Sequence, residues 1–197
     1  MKRKIVLGIF YAFLCAPVWA QHSADALRQL KVDVVYLASN LLEGRETGKK
    51  GEELAADYIA ARFAAIGLQP KGDSGSWFQV FSFVFNNNPH GASTGESRTG
   101  KNVVGYIDNK ALTTVVIGAH YDHLGYGTAG NSRNTGEPAI HNGADDNASG
   151  VAALLYVAEA IKKSKLKKNN YLFLAFSAEE LGLIGSKKFV EAKSIDV

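Results

Sequence analysis

The spacing of apolar and polar positions divides the chain into helical and extended stretches. Residues 23–30 and 34–42 place apolar side chains three or four apart, so the segment 21–45 reads as a helical entry. Residues 44–50 form a polar turn containing glycine. Over residues 52–66, Leu54, Tyr58, Ile59, Phe63 and Ile66 recur at helical spacing with alanines in the gaps. Acids in the first turn and Gly67 after the last complete the pattern of an amphipathic helix. Leu68-Gln69-Pro70 cannot continue it.

Residues 77–85 are aromatic and β-branched and predict a strand. Trp77, Phe81, Phe83 and Phe85 share one face, with Phe78, Val80 and Val84 on the other, so both faces can be covered. Residues 86–101 read as a long polar loop. Residues 102–107 and 113–117 predict two strands joined by a turn at Asp108-Asn109-Lys110, and residues 125–138 a glycine-rich loop. Residues 148–162 form a helix burying Val151, Leu154, Leu155, Val157, Ala158 and Ile161. The lysines at 162, 163, 165, 167 and 168 complement the dipole at its end. Residues 171–176 are a continuous apolar run, as in a central strand buried on both faces. A further helix covers 183–192. Strands alternating with helices imply a layered α/β fold, in which ligand sites form at strand ends.

The extreme N-terminus stands apart from this pattern. Lys2, Arg3 and Lys4 precede an apolar stretch from residue 5 to 18, and Val18-Trp19-Ala20 suits cleavage. Residues 1–20 therefore read as a secretory signal peptide, too short for a spanning helix, with residues 21–197 as one domain. The leader changes the charge argument. The chain has 22 Lys+Arg and 19 Asp+Glu, and Lys2, Arg3 and Lys4 make up the whole excess. From residue 21 onward it is formally neutral, which argues against a nucleic-acid surface. No stable membrane insertion is expected after cleavage. Cys15, the single cysteine, leaves with the leader. Disulfides, a cysteine nucleophile and a cysteine zinc cage are thereby excluded, and a secreted or periplasmic location fits.

Three polar clusters fall at strand ends or helix starts. His120 follows Val115-Val116-Ile117, and Asp122, two residues on, points the same way in extended chain. A carboxylate beside an imidazole can accept its second ring proton and fix its tautomer. The same pair also suits a buried structural histidine and a turn-capping aspartate. Asp145-Asp146-Asn147 precedes a helix, as caps or as ligands. Glu179 and Glu180 follow the most apolar strand. Adjacent carboxylates at a buried strand end are costly unless a cation or a proton neutralises them, although both also suit an exposed first helical turn. One glutamate as metal ligand and its neighbour as general base on water is then a natural division. Imidazole and carboxylate are ligands zinc accepts where thiolate is lacking. His22 and His90 read as surface residues, and His123 and His141 as margins of the site.

Gly118-Ala119-His120-Tyr121-Asp122-His123-Leu124-Gly125, Asn142-Gly143-Ala144-Asp145-Asp146-Asn147-Ala148-Ser149-Gly150 and Phe176-Ser177-Ala178-Glu179-Glu180-Leu181-Gly182 together resemble the M28 family of zinc peptidases. Leu42-Glu43-Gly44-Arg45-Glu46-Thr47-Gly48 resembles that family's N-terminal region. The resemblance implies a three-layer α/β/α fold on a central mixed, mostly parallel sheet. It also implies a dinuclear zinc aminopeptidase acting on peptides with a free N-terminus. Carried over, His120 binds one zinc, Asp146 bridges two, Glu180 binds the other, Glu179 is the general base and Asp122 orients His120. The Asp146–Asn147 bond is expected to be cis. An aspartate and a histidine ligand of the family find no counterpart before Val197. The chain is thus expected to be the N-terminal part of a longer protein, inactive alone. A single-zinc enzyme of the glutaminyl cyclase kind and a non-catalytic remnant are the alternative readings.

Overall fold

The computed structural model describes residues 16–85, 95–128, 132–133 and 136–192, with side chains from residue 24 onward. Most of the predicted leader, the loop at 86–94 with His90, and the side chain of His22 lie outside the described residues. The elements are α1 (Ala16–Leu37), a 3-10 segment (Asn40–Arg45), α2 (Lys50–Ile66), β1 (Gln69–Pro70), β2 (Phe78–Phe85), β3 (Glu96–Ile107), β4 (Thr114–His120), a π turn (Ala144–Ala148), α3 (Ser149–Lys163), β5 (Asn170–Phe176) and α4 (Ile184–Ala192).

The apolar run at 171–176 forms β5, and all but its last residue are buried. β3 flanks it antiparallel, and β4 flanks it in parallel on the other side. Its side chains alternate between two cores. Phe173 and Ala175 join Val103, Ile107, Ile59, Phe63, Leu154 and Leu155 under α2 and α3. Leu172 and Leu174 join Val104 and Phe189 under α4. Helices therefore cover both faces, giving the expected α/β/α layering around a mixed sheet. The expected predominance of parallel pairs is not found among the described residues. β1, β2 and β5 all pair antiparallel with β3, and only β4 with β5 is parallel. The β2–β3 hairpin supplies one of these antiparallel pairs, since it needs no helical crossover.

That hairpin also corrects the loop expected at 86–101. Residues 96–101 belong to β3 and pair with β2, from Phe85 opposite Glu96 to Phe78 opposite Val103. Their polarity hides a strand formed by its partner. Arg98, buried within it, ion-pairs with Glu46 at 2.7 Å and lies over the Phe85 ring. α2 ends as its sequence predicts, with Gly67 in the left-handed region donating to the Ala64 carbonyl. Its buried stripe is richer in alanine than in large residues, with Ala55, Ala56 and Ala60 beside Ile59 and Phe63. That stripe lets α2 lie close to the sheet. Among the described residues no helix is long and apolar enough to cross a membrane.

Candidate metal centre

Two parallel strands deliver the chemistry. β4 and β5 run in register, with Ala119 opposite Ala175 and His120 opposite Phe176, so they end level. His120 closes β4. After β5 the chain turns through Ser177 and Ala178, the latter with φ +55°, into Glu179 and Glu180. A non-glycine residue in that region is held only where its surroundings demand it. Here the Ala178 amide donates to the Thr47 hydroxyl oxygen at 3.2 Å.

Asp122 ties these ends together. It is fully buried. Its carboxylate accepts from the Glu179 amide at 3.1 Å, the Glu180 amide at 3.3 Å and the Thr47 hydroxyl at 3.2 Å. The His120 imidazole Nδ1 lies 3.7 Å from that carboxylate and 3.3 Å from the Asp122 backbone oxygen. Asp122 thus grips the glutamate turn more closely than the imidazole ring.

The third segment enters through Gly143, whose φ is +56°. A Cβ there would stand 2.4 Å from the Asp146 carbonyl oxygen and 2.6 Å from the His123 ring, so only glycine fits. The Asp146–Asn147 bond is cis. The Asn147 side chain accepts from the Gly150 amide at 3.0 Å, so the residue next to Asp146 caps the start of α3. Asp146 itself projects outward, and its Oδ1 lies 3.0 Å from His120 Nε2. Glu179 Oε2 is 3.9 Å from the same nitrogen. Glu180 Oε1 sits 2.6 Å from His123 Nδ1.

His120, Asp122, Asp146, Glu179 and Glu180, expected from the sequence, therefore lie together. His123, read only as a margin residue, belongs with them. Ligand atoms of His123, Asp146 and Glu180 lie within 4.8 Å of one another, close enough to hold one cation. Asp146 is common to that triad and to the His120 contact. The sequence hid His123 because its partner Glu180 is 57 residues away. Its one local signal is its place three residues after His120 at a strand end. His141 stays at the margin, its Nε2 3.0 Å from the Ser132 hydroxyl.

The electrostatics suit a cation. Burial alone would lower the His120 pKa, but Asp122, Glu179 and Asp146 outweigh it and push it up to about 9. Partial burial raises the Glu179 carboxyl, helped by Glu180, Asp122 and Asp146 against the opposing pull of His120. Carboxylates crowded about an imidazole are costly without a neutralising charge, and the nitrogen and oxygen donors match zinc and similar divalent ions.

The layered fold around a mixed sheet is shared with a Zn-dependent exopeptidase from Parabacteroides distasonis, at TM-score 0.56 and 20% identity, covering 80% of this chain and 47% of that structure. The model of Peptidase family M28 matches residues 102–197, so that segment is similar to this family. The alkaline phosphatase isozyme conversion protein of Escherichia coli is 29% identical over 152 residues, covering 77% of this chain and 42% of that protein. Aminopeptidase YwaD of Bacillus subtilis is 32% identical over 98 residues, covering 48% of this chain and 18% of that protein. The chain thus spans less than half the length of either. A leucine aminopeptidase precursor and a glutaminyl cyclase from Bacteroides thetaiotaomicron share the fold, each at TM-score 0.61 and 18% identity. Both matches cover 88% of this chain, and 58% and 57% of the respective structures.

Proposed function

We propose that the chain contributes the metal site of a zinc-dependent aminopeptidase, secreted or periplasmic, acting on peptides with a free N-terminus. The observation that carries this reading is the convergence of His120, Asp146, Glu179 and Glu180 on the level ends of β4 and β5. In this reading His120 would hold one ion, Glu180 with His123 beside it would hold a second, and Asp146 would serve both. Zinc, when bound, supplies Lewis acidity toward water and the scissile carbonyl. Glu179 removes the proton from the attacking water and returns it to the leaving amine. Its raised pKa favours both transfers. Asp122 keeps Glu179 and Glu180 fixed while that proton moves, through the two amides it accepts. The basic and apolar pattern of residues 1–20 supports export, with residues 21–197 belonging to the peptidase domain.

The test is hydrolysis of amino-acid anilides by the full-length protein, before and after chelation. Activity is expected to vanish with chelator and return with zinc. Full turnover by metal-stripped protein rejects the reading. Offered a peptide beginning with glutamine, an aminopeptidase releases the free amino acid, whereas a cyclase leaves a pyroglutamyl end.

A further inference from the structure

Arg45 is a fully buried guanidinium with no carboxylate hydrogen-bonded to it among the described residues. Its donors go instead to four backbone carbonyls on three separate segments. Nε donates to Tyr121 at 2.6 Å, Nη1 to Leu37 and to Asn142 at 2.8 Å, and Nη2 to Gly143 at 3.0 Å. Tyr121 stands between His120 and Asp122. Asn142 and Gly143 lead into the π turn that carries Asp146. The Arg45 carbonyl in turn accepts the His123 amide at 3.1 Å. One residue thus grips the chain beside each of these donors without touching their side chains.

The backbone is shaped to put it there. Glu43, Gly44 and Arg45 are consecutive residues in the left-handed region, with φ of +47°, +71° and +51°. A Cβ on Gly44 would meet the carbonyl oxygens of Gly125 and His141 at 2.6 and 2.7 Å. Two non-glycine residues held at positive φ are strain that the guanidinium contacts offset. The charge is retained. Burial brings Arg45 down to about 10, and Asp122, Asp146 and Glu180 oppose that fall, so it remains a cation at neutral pH. A lysine could not replace it, because one ammonium has three donors and no planar fork.

We infer that Arg45 is the positioning residue of the metal centre, fixing through backbone carbonyls the separation between the His120 end of β4 and the Asp146 turn. The inference rests on the metal-site reading above. It assigns Arg45 no contact with substrate. Its loss acts on metal affinity and coordination geometry.

Cobalt(II) titration, followed by the visible band of the bound ion, with zinc competition against a chromophoric chelator, tests it on the full chain. Wild type, Arg45→Lys and Tyr58→Phe are compared under conditions where each is folded. Tyr58→Phe is the control because it weakens the contact between α1 and α2 away from the site. Arg45→Lys is expected to bind cobalt and zinc about ten- to a hundredfold more weakly, with an altered cobalt spectrum. Tyr58→Phe should match wild type in both. Equal affinity and spectrum for Arg45→Lys overturn the inference alone. A wild-type chain that takes up neither metal removes the metal-site reading and the inference with it. Should Arg45→Lys not fold, nitrogen-15 spectra of the wild-type guanidinium decide. The Arg45 side-chain signals should shift as zinc is added, and signals that stay put overturn the inference.

Discussion

Glu179 and Glu180 are adjacent and chemically alike, and their surroundings separate them. Glu180 is held by His123 at 2.6 Å, whereas Glu179 stands half-open, 3.9 Å from His120. Glu179→Gln keeps the size and removes the proposed base. Turnover is expected to fall by about 10²–10⁴-fold with zinc affinity unchanged, the scale of a lost general base. Unchanged turnover in a steady-state assay would remove Glu179 from that role. Another carboxylate, Glu52, lies beneath the site. It accepts from the Ser177 hydroxyl at 2.6 Å, the Gly48 amide at 2.8 Å and the Tyr121 hydroxyl at 3.0 Å. Burial raises its pKa above the ordinary carboxylate value, and these hydrogen bonds only partly offset that. The folded chain therefore holds this proton more tightly than the unfolded one. The contribution is complete below the unfolded pKa and is lost as pH rises through the folded value. Glu52→Gln should gain stability relative to wild type between pH 4 and pH 7, read from urea midpoints at the two values. A constant difference between the two proteins would contradict that sign.

Among the elements, α1 and α2 are joined by a polar tie. Asp33 on α1 is buried and accepts from Tyr58 at 2.5 Å and Arg62 at 2.9 Å on α2, and from Gln29 at 3.0 Å. Tyr58→Phe leaves the other donors in place and is expected to cost about 1 kcal/mol. Arg62→Met leaves the buried carboxylate without its cation and is expected to cost about 3–5 kcal/mol. Urea melts giving equal losses would show that the charge is not what Asp33 needs. Periodicity made α2, α3 and α4 legible in the sequence, and the unbroken apolar run made β5 legible. Those elements carry their burial in their own residues. The first half of β3 does not. Glu96 to Lys101 look like loop because the partner strand and Arg98, bound to Glu46, determine their conformation. The site divides along the same line. His120, Asp146 and the glutamates, which the fold brings together, lie in recognisable motifs, while His123 and Arg45 make their contacts with residues far along the chain.

At the scale of the molecule, strand order was beyond the sequence, because β5 comes last among the described strands yet lies between β3 and β4. A cation bound at the strand ends would link three distant segments, so it should stabilise the whole fold by mass action. Zinc at a hundred times its dissociation constant should add about 2.7 kcal/mol. The thermal midpoint should rise with zinc, fall back with chelator, and respond little in Asp146→Ala, which removes the carboxylate common to the triad and the His120 contact. A midpoint indifferent to zinc would contradict a metal centre here.

The level ending of β4 and β5 has a bearing on how the protein comes into being. The imidazole and the glutamates belong to different strands and meet only after β5 has slotted in beside β4. Contacts so distant in sequence are slow to form, since the intervening chain must first be closed. A nascent or half-folded chain therefore carries the ingredients of the centre but not the centre. On the proposed metal-site reading, ion capture would come late in maturation, only with the finished sheet.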